Sequence, residues 1–148
     1  MTGSRLLVMA CSARKRAQAV CAVDLYDGSS YRVLKKRNVG FFKVPVLILS
    51  AKYGLIPATK QIVTYDLKMT PLRAAELSSV KRVTAAAALV RSTPGWPFAE
   101  IFCHGGVLYR SVLKSYVTAG VFGRARVHYS GGRIGEQLSQ LVAFLESR

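Results

Sequence analysis

Apolar positions along the chain fall into short unbroken runs, separated by longer stretches in which they recur at helical spacing. Residues 5–10, Arg-Leu-Leu-Val-Met-Ala, form the first run and exit into the basic stretch Cys11-Ser12-Ala13-Arg14-Lys15-Arg16. A continuous apolar run of this length reads as a buried strand. Ala17, Val20 and Cys21 then share one face of a short helix over 12–23. Asp24 to Tyr31 is turn-rich through Asp27-Gly28 and Ser29-Ser30. Residues 31–43 open with helical character that Asn38 and Gly40 stop. The run 44–51, Val-Pro-Val-Leu-Ile-Leu-Ser-Ala, is a second buried strand with Pro45 at its start, where a proline is tolerated. Thr70 and Pro71 supply an N-cap and a first helical position. Leu77, Val80, Val83, Ala87 and Val90 then predict one long amphipathic helix over 71–91, ended by the stretch Thr93–Pro97. A third strand over 98–106 reaches the pair Gly105-Gly106, and a helix over 107–120 stops at Gly120. Residues 124–130 alternate as a fourth strand, and Ile134, Leu138, Leu141, Val142 and Leu145 mark a last helix.

Strands that alternate with helices, and that are apolar on both faces, make a parallel sheet covered on both sides. The expectation is one α/β domain over 1–148, a three-layer α/β/α sandwich with a mostly parallel four-stranded sheet. The length of 148 residues suits one domain. Hydrophobic residues at 51% and charged residues at 20% supply a core and exclude a disordered chain. No apolar run approaches the ~20 residues of a membrane span. The run before Cys11 is shorter than the ~7–15 residues of a signal-peptide core, and reads better as a strand. Cys11, Cys21 and Cys103 are odd in number and lack metal-type spacing, so a reducing, cytoplasmic setting is expected.

Charge changes the picture most. Twenty-two Lys and Arg face seven acids, a net +15. Such an excess on a small domain points to a polyanionic partner, DNA before RNA, or to a nucleotide. A basic proteome or a need for solubility is the plainer reading of the same number. No long basic amphipathic helix is present, so a membrane partner is not expected. Arg14, Lys35, Lys36, Arg37 and Lys43, interleaved with Tyr31, Phe41 and Phe42, are the candidate nucleic-acid contacts.

Ligands of open α/β sheets bind beyond the carboxyl ends of the strands. There the sequence places Cys11, Ser12, Arg14 and Lys15, then Ser50, Lys52, Tyr53 and Gly54. The third and fourth strands lead to His104, Gly105, Gly106 and Tyr109, and to Ser130, Gly131 and Gly132. Neither phosphate-loop nor dinucleotide glycine pattern occurs. Gly131 to Gly135 can offer N–H groups to a phosphate before the last helix, though a Gly-Gly turn explains the same residues. Among the seven acids, Asp24 and Asp66 remain once those in turns, helices and strand starts are set aside. Asp66, after Tyr65, is the better general base or electrostatic group, and a capping or Lys52-pairing role has equal standing. His104 suits an acid or base, or a buried histidine bonded to backbone. His128 reads as structural. Cys11 near Arg14 and Lys15 suits a nucleophile, or a small buried hydrophobe. Two isolated histidines and scattered cysteines point to no metal, and no cofactor is expected.

The motif Ser50-Ala51-Lys52-Tyr53-Gly54-Leu55, followed by Tyr65-Asp66-Leu67-Lys68-Met69, resembles a segment of the YaaA family of peroxide-stress, DNA-binding proteins. It is closer to a smaller bacterial and phage family sharing that core. Cys11 to Lys15, Leu25-Tyr26, Tyr109-Arg110 and Arg133 to Leu138 extend the resemblance over most of the chain. The family's Pro-Tyr-Asp is Thr64-Tyr65-Asp66 here, which leaves the turn before the aspartate less rigid. The helix-hairpin-helix extension of full-length YaaA proteins is missing, so their DNA-binding mode is not carried over. The resemblance implies a core related to base-processing folds such as DNA glycosylases, a fold-level analogy.

Three readings follow. In the first, an N-glycosidase acts on a damaged or modified base in DNA or on a nucleotide. Asp66 stabilises the sugar cation or activates water, and Lys52 or His104 supports the departing base. Tyr26, Tyr53 or Tyr65 stacks on that base. In the second, the chain is a noncatalytic DNA-binding module in stress response or phage defence. In the third, it is a small-molecule nucleotide enzyme whose charge is incidental.

Overall fold

A computed structural model describes residues 4–11, 15, 21–26, 28–37 and 44–146. Five strands and six helices occur among them. Strand β1 (Arg5–Ala10) is followed by α1 (Ala22–Leu25) and α2 (Ser29–Arg37), then by β2 (Val46–Ser50) and β3 (Gly54–Pro57). Helices α3 (Pro71–Leu77) and α4 (Val80–Ser92) lead to β4 (Glu100–His104). Helix α5 (Val107–Thr118), β5 (Arg126–Tyr129) and α6 (Ile134–Glu146) complete the chain.

The sheet order is β3-β2-β1-β4-β5. β1 pairs in parallel with β2 and with β4, and β4 in parallel with β5. β3 runs antiparallel to β2, with Leu47 opposite Pro57 and Ser50 opposite Gly54. The sheet is therefore mostly parallel but has five strands where four were expected. The added strand is a four-residue edge element made by a hairpin. Pro57 ends it at the outer side of the sheet, where its missing N–H costs no ladder bond. Gly54 carries φ +77, a conformation that favours glycine and lets the chain reverse directly after β2.

The apolar runs bury both faces as their composition requires. Leu7, Met9 and Ile48 point to a core closed by Ala22 and Leu25 of α1, Tyr31 and Leu34 of α2, and Leu141 and Leu145 of α6. Leu6, Val8, Leu47 and Leu49 point the other way, against Leu77, Ala86, Val90, Val112, Leu113 and Tyr116 of α3, α4 and α5. Two buried tyrosines fasten these layers. Tyr31 Oη donates to the Ala10 carbonyl at 2.7 Å, and Tyr116 Oη donates to the Leu77 carbonyl at 2.9 Å.

The helix predicted over 71–91 is two helices. Thr70 Oγ1 accepts from the Arg73 N–H at 3.1 Å, as the cap predicts. The helix then ends at Ser78, and Ser79 leaves helical geometry (φ −64, ψ 159) to cap α4 through the Arg82 N–H. A serine oxygen competes for backbone donors and so supports this break. The turn read over 24–31 is crossed by the end of α1 at Leu25 and the start of α2 at Ser29. Of the helix read over 12–23, Lys15 and residues 21–23 are described, and Lys15 is not helical but bridges Tyr26 in antiparallel fashion; Asn38 and Gly40 lie outside the described residues. No helix among the described residues is long and apolar enough to cross a membrane.

Candidate functional site at the carboxyl end of the sheet

The chain leaves β1 toward the face of α1 and α2 and leaves β4 toward the opposite face, that of α5. Adjacent strands whose connections part in this way open a crevice between their carboxyl ends. A cavity of about 380 Å³ lies there. Cys11 and Lys15 line it from the β1 side, and Gly106 to Tyr109 from the start of α5. Asp66, Leu67, Lys68 and Met69, from the irregular segment before α3, close the third side. Gly105 allows the close approach of β4 to β1, because a Cβ there would lie 2.6 Å from Ala10 Cβ. Gly106 caps α5 without a side chain, so the first N–H groups of that helix face the cavity undressed.

Beneath the cavity runs a hydroxyl network. Ser50 Oγ lies 2.8 Å from Tyr65 Oη, and Tyr65 Oη lies 2.6 Å from Tyr26 Oη. Ser50 Oγ also accepts from the N–H groups of Lys52 and Tyr53, at 3.2 and 3.1 Å. Burial pushes the Tyr26 hydroxyl up to about 12 and raises Tyr65 as well. Both therefore stay protonated near neutrality and act as hydrogen-bonding struts. Lys15 Nζ sits 4.5 Å over the Tyr65 ring, and Lys52 Nζ lies 5.3 Å from the Tyr53 ring centre. These are cation–π distances. The loop carbonyls of Ala51 and Lys52 each accept from Arg73, both at 2.6 Å, and Arg82 binds the Tyr53 carbonyl at 3.1 Å.

Cys11 Sγ lies 3.0 Å from Tyr109 Oη, and the Ala51 N–H points to the same sulfur at 3.4 Å. Burial raises the Tyr109 hydroxyl, so the tyrosine keeps its proton beside the sulfur. Asp66 and Glu136 differ from the other described carboxylates, which are ion-paired. Asp24 pairs with Lys35, Glu76 with Arg73, Glu100 with Arg126 and Glu146 with Arg37. Glu136 lies over Gly132 at the start of α6. Asp66 is exposed and has no ion pair among the described residues. The equal alternative of a Lys52–Asp66 pair is thus not what the structure contains.

The predicted site residues separate into groups. Cys11, Lys15, Asp66 and Tyr109 meet at the cavity. Tyr26, Ser50, Tyr53, Tyr65, Lys52 and Gly105 form the support around it. Tyr26 is fully buried and so cannot stack on a base, the half-buried Tyr65 has Lys15 over its ring, and Tyr109 is the ring at the cavity wall. Gly54 belongs to the β2–β3 hairpin, packed against Arg82. His104 alternates with Phe102 and faces the α1, α2 and α6 side, away from the cavity lining. Its Nδ1 is buried with no hydrogen-bond partner, and burial lowers the imidazole to about 4. His104 is thus a buried histidine, as one reading had it, but it lies outside the cavity lining and its Nδ1 has no backbone partner.

His128 lies exposed in the edge strand β5. The basic stretch is also placed elsewhere. Lys35 pairs with Asp24 at 3.9 Å, and Arg37 pairs with Glu146 at the amino end of the sheet, near the Arg5 contact to the Phe144 carbonyl. Lys36 is exposed on the same helix. Ser12, Arg14, Lys43, Phe41 and Phe42 lie outside the described residues. The phosphate reading of 131–135 is answered by side chains. Gln140 Oε1 takes the Gly131 N–H at 2.9 Å, and the Glu136 carboxylate occupies the space beside Gly132. Sequence reasoning missed Lys68, Leu67 and Met69 as lining, and Arg73 and Arg82 as clamps.

The fold and cavity define an open α/β protein with a crevice at its topological switch point. The chain belongs to the DUF6884 family, a family of unknown function, matched over residues 6–143. No curated protein matches it. Among solved structures it is similar to the crystal structure of AF0587, a protein of unknown function, with a TM-score of 0.56 and 19% identity. The match covers 99% of this chain and 46% of that one, so the chain spans less than half of its length. At that identity the likeness supports the fold alone.

Proposed function

We propose that the protein is an N-glycosidase acting on a nucleotide, free or as a damaged or modified unit of DNA. The observation that carries this reading is Asp66, an exposed carboxylate without an ion pair among the described residues, at the wall of a cavity that Lys15, Lys68 and the uncapped start of α5 also line. A cavity of about 380 Å³ suits one small ligand. Cleavage of the bond between C1′ and the base nitrogen builds positive charge on the sugar and negative charge on the base. Asp66 stabilises the sugar cation and takes a proton from the attacking water, whose oxygen bonds C1′. The base leaves with the bonding pair and is protonated in turn. Lys15 and Lys68 offset the negative charge, in the place first given to Lys52 and His104. A base within duplex DNA must be flipped out to enter. Three free thiols favour a reducing, cytoplasmic setting.

The test is base release from nucleotides and from DNA carrying uracil, hydroxymethylated or glucosylated pyrimidines, or alkylated purines, read by mass spectrometry. Asp66→Asn is expected to lower release at least a hundredfold. Absence of free base from every substrate overturns the reading. A binding module without turnover is the second reading, favoured by Asp66 being held by no second group. Under it Asp66→Asn leaves binding intact or strengthens it.

A further inference from the structure

Exposed large apolar side chains gather at the carboxyl end of the sheet. Four of the seven among the described residues are there: Leu67, Leu72, Val107 and Ile134. Leu67 and Val107 line the cavity itself. Leu72 lies in the first turn of α3, which Arg73 ties to the carbonyls after β2, and Ile134 opens α6 after β5. Val107 is 71% exposed and Ile134 63% exposed, at first-turn positions that no described residue buries. Clustered apolar exposure marks an interaction surface, whereas scattered single residues do not. Cations share this end: Lys15 and Lys68 at the cavity, Lys52 after β2 and Arg133 before α6.

We infer that this end of the molecule binds an unpaired nucleic-acid strand, its phosphates on these cations and its bases against the apolar rim. The inference rests on the reading of the cavity as a nucleotide site, and names the polymer that nucleotide belongs to. A duplex presents phosphates and hides its base faces, so it has no use for exposed Val107 or Ile134. An unstacked strand presents both, and base contacts with an unspecific groove are sequence-tolerant. Charge complementarity favours this occupant, because Lys15, Lys52, Lys68 and Arg133 lie at this end. The strand also needs no flipping to reach the cavity.

The test uses the full chain carrying Asp66→Asn, so that binding is read apart from turnover. Fluorescence anisotropy compares a labelled single-stranded DNA, the same sequence in RNA, and the matching duplex across a salt series. Either single strand is expected to bind about tenfold or more tighter than the duplex. Val107→Ser and Ile134→Ser each weaken it about fivefold or more, at unchanged salt slope. Val117→Ser, at the other end of α5, is the control and changes nothing. Lys68→Gln and Arg133→Gln each lower the slope by about 0.7. Equal or tighter duplex binding overturns the inference, as do apolar variants without effect. It is also overturned if those variants alter only self-association in sedimentation, which would make the rim a contact between copies. Base release from free nucleotides without strand binding overturns this inference and spares the glycosidase. Strand binding without any release does the reverse.

Discussion

Ser50 and Tyr65, fifteen residues apart, share a hydrogen bond of 2.8 Å that joins the end of β2 to the segment carrying Asp66. Tyr65 Oη also meets Tyr26 Oη at 2.6 Å, so one hydroxyl links the two central layers of the support. Tyr65→Phe leaves Tyr26 Oη buried without that partner, while Ser50 keeps its two backbone donors. The expected loss is roughly 1–3 kcal/mol in urea unfolding. Ser50→Ala should overlap with it, because both remove the same bond, and the double variant should fall short of the sum. Additive losses would show that the network is not a unit.

Arg73 holds the Ala51 and Lys52 carbonyls and also pairs with Glu76 at 3.0 Å. Its planar fork reaches two acceptors together, which a lysine ammonium cannot reproduce. Both Arg73→Ala and Arg73→Lys should therefore destabilise the chain, by roughly 1–3 kcal/mol for alanine. Hydrogen exchange at residues 51–54 should accelerate in both variants. Unchanged exchange would mean that the hairpin is held by β2 and β3 alone.

These clamps also explain what the sequence could not disclose. The apolar strands and the helix caps were readable because burial on both faces and the Thr70-Pro71 start leave local signatures. β3 left none, since four residues ending in Pro57 match neither period. The break at Ser78 and Ser79 was hidden because Leu77, Ala86 and Val90 bury toward one core on either side of it. Two arginines, one on each helix, tie both to the loop after β2, and that is a tertiary fact. At the site, the strand ends announced Cys11, Lys15 and Tyr109. Leu67 to Met69 belong to an irregular segment without a period. His104 could have been placed by alternation with Phe102, a signal present in the sequence. The Arg37–Glu146 pair needed three dimensions, and it moves the basic stretch away from the site.

His104 makes stability depend on pH. Its imidazole is lowered from 6.5 to about 4 by burial, so the unfolded chain binds a proton across that window and the folded chain does not. Stability from this group is complete above pH about 6.5 and falls as pH drops toward 4, by roughly 3 kcal/mol at most. Urea unfolding between these limits should show the slope in the native chain. His104→Gln should flatten it, and an equal slope in the variant would assign the dependence to other groups.

The three thiols should separate by reactivity. Cys103 is fully buried, and burial pushes it up to about 12, so it should resist alkylation until the protein unfolds. Cys21 is partly exposed, with its thiol donating to Asp24 at 3.0 Å and raised by burial and that neighbour. Cys11 is partly exposed at the cavity wall beside Tyr109. Iodoacetamide labelling with peptide mass spectrometry should therefore mark Cys11 and Cys21 in the native chain and leave Cys103 untouched. A nucleotide or single strand that fills the cavity covers Cys11 and leaves Cys21, which is not among the lining residues, open. Selective protection of Cys11 by a mononucleotide, with Cys21 labelled at its former rate, is the expected result. Equal labelling of both with and without nucleotide at saturating concentration would place nucleotide binding away from this cavity.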